Sequence, residues 1–137
     1  MNMTEHAHYM SSALELAKRG RFSVSPNPMV GCVLVKNGQI IGQGFHLQAG
    51  QPHAEIHALQ EAGAASKGAI AYVTLEPCCH YGRTPPCTNA LIEAGISKVY
   101  VATLDPNPLM SGKGITALNN AGIEVEARPR FSDGVDI

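Results

Sequence analysis

Two short stretches concentrate the side chains that bind metals and move protons. The first, "PHAEIHALQEAG" (residues 52–63), places His53 two residues before Glu55 at the start of a helical pattern. The second, "EPCCHYGRTPPC" (residues 76–87), carries Cys78, Cys79 and Cys87 among prolines and glycine. A catalytic zinc takes three protein ligands and leaves its fourth position to water. His53, Cys78 and Cys87 supply one imidazole and two thiolates. Cys87 opens a predicted helix, where the dipole and free N–H groups favour a thiolate. Glu55 lies too close in sequence to His53 to share its ligand face. It is instead placed to reach a bound water and carry protons.

Blander readings stand beside this one. A lone His-x-Glu on a helix is usually surface, and only its pairing with Pro77-Cys78 and a later cysteine favours metal. His57 follows His53 by one helical turn and offers a rival His-x-x-x-His pair, but Cys78 and Cys87 make the better set, so His57 reads as structural. Cys79, beside a ligand, could compete for metal. Cys32, in an apolar strand, reads as a small buried hydrophobe. His6 and His8 read as solvated. "GKGITA" (residues 112–117) imitates a dinucleotide fingerprint but follows a proline-rich loop rather than a strand, so it reads as the start of a helix. Arg83 and Lys113 could be solvated charges, although Arg83, in the loop beside the site, suits a phosphate. Asp105 could simply cap a turn.

The elements that must hold these residues follow from periodicity. Residues 4–19 repeat Ala7, Met10, Ala13, Leu14 and Ala17 at helical spacing, with Thr4 as N-cap and Gly20 as stop. "MVGCVLVKNGQIIGQGF" is a β-hairpin about Asn37-Gly38, the pair best suited to a type I′ turn. Pro52 fits the first position of the next helix. A strand over 69–75, a helix from Cys87, a strand over 97–104, a helix over 114–121 and a strand over 123–128 complete an α-β-β-α-β-α-β-α-β order. The tail "PRFSDGVDI" lacks such a pattern and reads as poorly ordered. Strands alternating with helices predict crossover units and a sheet covered on both faces. The expectation is a single-domain three-layer α/β/α sandwich with a mixed five-stranded sheet, spanning residues 1–137.

With 137 residues, 45% of them apolar, the chain can bury a core unaided. A formal net charge of −1 gives no basic field to gather nucleic acid. No apolar run reaches membrane-spanning length, and the first residues do not read as a signal peptide. A cytoplasmic protein is expected, its four cysteines reduced or metal-bound.

Histidine and cysteines on zinc with a non-ligand glutamate as acid/base is the division of labour in zinc nucleobase deaminases, whose motif is H-x-E followed by P-C-x-x-C. Here the second cysteine comes nine positions after the first. That longer loop, together with "HAEIHAL", "TLEPCCHYGRTPPC", "DPNPLMSGKG", "SPNPMVGCVLV" and "GFHLQAGQPHAE", resembles the pyrimidine deaminase family of riboflavin biosynthesis over roughly residues 5–128. Many members have serine where this chain has Cys79.

The resemblance implies a cytidine deaminase-like fold and Zn²⁺ on His53, Cys78 and Cys87, with Glu55 as proton shuttle. The substrate would be a small diaminopyrimidinone ribosylamine phosphate, hydrolysed at its 2-amino group. It assigns contacts with base, ribose or phosphate to the positions of Asn27, His46, His80, Arg83, Asp105 and Asn107. Family members often carry a reductase domain after the deaminase. None is expected within these residues, nor is NADPH. No nucleic-acid or membrane partner is expected, and association into a homo-oligomer is, since such deaminase folds commonly associate. Two alternatives stay open: a zinc deaminase of guanine, cytidine or tRNA adenosine, and a structural zinc module in which Cys79 or His57 closes the shell and Glu55 is idle.

Overall fold

The computed structural model describes residues 3–19, 30–45, 53–79, 86–105 and 108–127. Its elements are α1 (Met3–Arg19), β1 (Gly31–Lys36), β2 (Gln39–Phe45), α2 (Ala54–Ala62), a 3₁₀ turn (Gly63–Ser66), β3 (Ile70–Leu75), α3 (Cys87–Ala94), β4 (Lys98–Thr103), α4 (Lys113–Asn120) and β5 (Glu124–Ala127). The expected order is borne out, and only the 3₁₀ turn was not anticipated. Boundaries moved by a residue or two: α1 begins at Met3, so Thr4 lies inside it, and α2 begins at Ala54, two residues after Pro52. Gly20, Pro52 and the tail lie outside the described residues.

The five strands form one mixed sheet in the order β2-β1-β3-β4-β5. β1 runs antiparallel to β2 and β3, while β3, β4 and β5 run parallel. The hairpin turns where the sequence predicted, with Asn37 at φ 53 and Gly38 at φ 76, the positive pair a type I′ turn requires. β1 and β3 are central, so both their faces are buried and both read as continuous apolar runs.

Two cores flank the sheet. One joins Cys32, Leu34, Ala71, Val73, Val99 and Val101 to Ala54 and Ala58 of α2, Leu91 of α3 and Leu118 of α4. The other sets Met10, Ala13 and Leu16 of α1 against Val33, Val35, Tyr72, Tyr100 and Ala102. This is the three-layer α/β/α sandwich expected. Among the described residues no helix is long and apolar enough to cross a membrane.

One helix residue departs from expectation. His6 is not solvated: its Nδ1 lies 2.6 Å from the Tyr72 hydroxyl and its Nε2 3.2 Å from that of Tyr100. Tyr72 and Tyr100 are register partners on parallel strands, and their rings stack at 5.0 Å. Two phenols beneath a helix need polar partners, and His6, one turn before Met10, reaches both. His8 is exposed, as expected.

Candidate metal centre

α2 and α3 bring their N-termini to the carboxyl end of β3. His53 is the N-cap of α2, at φ −74 and ψ 167, and its carbonyl accepts the N–H groups of Ile56 and His57 at 3.1 and 3.2 Å. His53 therefore stands just outside the helix, and Glu55 falls in its first turn. Pro86 caps α3, so Cys87 is that helix's first residue. Between them, Pro77 carries the chain from β3 to Cys78, whose carbonyl accepts Thr88 N–H at 3.1 Å.

The side chains converge. The donor atoms of His53, Cys78 and Cys87 all lie within 4.8 Å of one another. His53 Nδ1 is 3.2 Å from Cys87 Sγ and 3.8 Å from Cys78 Sγ, and the Cys87 backbone N–H donates to Cys78 Sγ at 3.2 Å. Nδ1 is thus the ring nitrogen facing the sulfurs.

The electrostatics suit a cation. A hydrogen bond from Cys87 lowers the Cys78 thiol to about 4, with His53 adding to the effect. The same bond pushes the Cys87 thiol up, and the bond to Cys78 raises the His53 imidazole. Without metal, one negative sulfur is therefore shared among three ligand groups, and a divalent cation would displace the remaining protons. One imidazole and two thiols fit the borderline-soft zinc ion. Among the described residues no fourth His, Cys, Asp or Glu joins this cluster, as a site that keeps one position for water requires.

Glu55 is 3% exposed beside the cluster. Burial pushes its carboxyl up to about 7, against the opposing pull of its own backbone N–H, the charge of His53 and a hydrogen bond with Cys87. A carboxyl that titrates near neutrality can both accept and donate a proton at working pH.

The remaining expectations divide. Cys79 is half-buried and lies outside the cluster, with its thiol pushed up by partial desolvation. His57 also lies outside it, and its Nε2 is buried with no hydrogen-bond partner among the described residues. Cys32 is fully buried in the core. Asp105 is half-buried just beyond β4, and Lys113 is exposed at the start of α4. Asn27, His46, His80, Arg83 and Asn107 lie outside the described residues.

Sequence reasoning missed Glu76. It is 5% exposed at the end of β3, and its carboxylate accepts four backbone N–H groups, from Asp105, Gly112, Gly114 and Ile115. The available signal was an acid directly before Pro77-Cys78 together with a later Gly-Lys-Gly able to present bare amides.

A mixed sheet with a His/Cys/Cys donor set at two helix N-termini and a buried glutamate beside it defines a zinc-deaminase class of protein. The chain belongs to the family of the cytidine and deoxycytidylate deaminase zinc-binding region, whose model matches residues 3–103. It is 57% identical over 118 residues to the diaminohydroxyphosphoribosylamino-pyrimidine deaminase of Buchnera aphidicola, covering 86% of this chain and 80% of that protein. To the riboflavin biosynthesis protein RibD of Escherichia coli it is 59% identical over 118 residues, 86% of this chain but 32% of that protein. The solved structure of Acinetobacter baumannii RibD superposes with a TM-score of 0.93 at 58% identity, covering 97% of this chain and 37% of that one. The chain thus spans about a third of the length of these RibD proteins, and the expected likeness to riboflavin-biosynthesis deaminases is borne out.

Proposed function

We propose that this domain hydrolytically deaminates 2,5-diamino-6-ribosylamino-4(3H)-pyrimidinone 5′-phosphate, giving 5-amino-6-ribosylaminouracil 5′-phosphate and ammonia. The observation that carries the reading is the convergence of His53, Cys78 and Cys87 within 4.8 Å, with a buried Glu55 beside them. The names of the Buchnera and E. coli relatives support the substrate class.

His53, Cys78 and Cys87 would hold zinc. Bound there, zinc would supply Lewis acidity, making water a nucleophile near neutral pH. Glu55 does the proton work. Its carboxylate takes a proton from the attacking water and delivers it to the ring nitrogen next to the attacked carbon, then takes the remaining proton of the added hydroxyl and passes it to the departing amine. Water adds, ammonia leaves, and Glu55 ends as it began. The buried setting excludes bulk solvent, and in the metal-free protein burial already raises the carboxyl to about 7, which suits a group that both takes and gives a proton. Asn27, His46, His80, Arg83, Asp105 and Asn107 would contact base, ribose and phosphate. Arg83 suits the phosphate because a guanidinium can bind it through paired donors.

The experiment is ammonia release by the zinc-loaded protein offered the ribotide, cytidine, dCMP and guanine side by side. Turnover of the ribotide alone is expected. Preferential turnover of another base would reassign the substrate, and zinc binding without any turnover would favour a structural metal module.

A further inference from the structure

We propose that Glu76 is a positioning residue: its buried carboxylate fixes Asp105 and the start of α4, residues 112–115, as a wall of the substrate site beside the His53–Cys78–Cys87 cluster. The proposal rests on the deaminase reading for what occupies that site.

The geometry starts from two parallel strands. Leu75 and Thr103 are register partners at the ends of β3 and β4, and Glu76 N–H donates to the Thr103 carbonyl at 2.8 Å. Two residues beyond Glu76 the chain reaches Cys78, and two beyond Thr103 it reaches Asp105. The metal-bearing loop and the segment entering α4 thus leave the same sheet edge side by side, at the carboxyl ends where open α/β sheets bind ligands.

Glu76 spans them. One carboxylate oxygen accepts the N–H groups of Asp105 and Gly112 at 3.1 and 3.0 Å. The other accepts those of Gly114 and Ile115 at 2.9 and 3.3 Å. Three of these amides, from Gly112, Gly114 and Ile115, belong to the N-terminal end of α4, whose dipole favours a negative charge there.

Glycine makes the socket possible. Gly112, the N-cap of α4, sits at φ 85, which few side chains tolerate. A Cβ on Gly114 would overlap the Pro77 carbonyl oxygen and lie 3.2 Å from the Glu76 carboxylate. The Gly-Lys-Gly that imitates a dinucleotide fingerprint therefore receives a carboxylate from within the chain.

A wall displaced without touching the metal ligands or Glu55 weakens ground and transition states alike, which raises KM and spares kcat. The test uses the zinc-loaded protein with two variants. Glu76→Gln keeps the size but puts an NH₂ against amide donors. Gly114→Ala leaves the carboxylate and pushes the helix start off Pro77, so it decides the matter should the first not fold. Each variant is expected to raise KM for the ribotide by about tenfold or more, with kcat within about threefold of wild type. Zinc content should be unchanged, and the amides of Gly112, Gly114 and Ile115 should exchange faster with solvent. An unchanged KM, unchanged amide exchange, or joint loss of zinc and kcat would overturn the proposal. If the wild type itself does not turn over the ribotide, the substrate reading fails. Amide exchange and zinc content, which need no substrate, then judge Glu76 alone.

Discussion

Glu55 and Cys78 are perturbed in opposite directions, and the two shifts make separate predictions for the metal-free protein. Burial raises the Glu55 carboxyl from 4.5 to about 7. A raised folded-state value contributes its stability fully below the unfolded value, and that contribution is lost as pH rises through the folded one. In metal-free protein, Glu55→Gln should therefore gain stability over wild type as pH climbs from about 4.5 to about 7, approaching about 3 kcal/mol. Denaturant melts of both proteins across that range check this; a flat difference would mean Glu55 is not desolvated as described. For Cys78, hydrogen bonding from Cys87 favours the thiolate, which is half-buried and within reach of reagent. In the zinc-free protein, iodoacetamide should modify Cys78 before Cys79, at a rate nearly flat between about pH 6 and pH 8. Zinc should protect it. A rate climbing steeply with pH would contradict a preformed thiolate.

The helix α2 and its N-cap carry two of the four chemical residues, Glu55 and His53, and the helix's seat on the sheet is glycine. A Cβ on Gly44 of β2 would stand 2.5 Å from the Ala54 carbonyl oxygen, 2.6 Å from His57 Cβ and 2.9 Å from Ala58 N. Gly42, also buried, faces the same helix. Gly44→Ala should push the first turn of α2 off the sheet, destabilising the domain by about 1–3 kcal/mol. It should also weaken zinc affinity, because His53 caps that turn. Thermal melts with a zinc titration would detect both, and a neutral substitution would show that α2 is not pressed against β2.

The elements themselves were legible because each rests on a local rule. Asn37-Gly38 dictates its turn, β1 and β3 carry near-continuous apolar runs as buried central strands do, and α1 repeats its apolar face at helical spacing. The convergent His53, Cys78 and Cys87 group was legible because these residues are of the types zinc selects. The glycine seat and the Glu76 socket were not legible, since both are long-range backbone approaches with no periodic trace. His6 was misjudged for the same reason: nothing local shows that Tyr72 and Tyr100 will place their hydroxyls beside it.

Across the whole molecule, the sheet gathers candidate metal ligands far apart in sequence into one place. His53 comes from the cap of α2, Cys78 from the loop after β3 and Cys87 from the first residue of α3. α1 and its tyrosine–histidine cluster occupy the opposite face, away from the chemistry. The central claim is that this gathered site is catalytic and that Glu55 moves its protons, and it is tested most directly by ammonia release from the ribotide by zinc-loaded wild type and Glu55→Gln. Steady turnover is expected of the wild type, with a loss of at least about a hundredfold in kcat in the variant and zinc fully retained. Equal turnover by the two proteins, or loss that tracks loss of zinc, would contradict it.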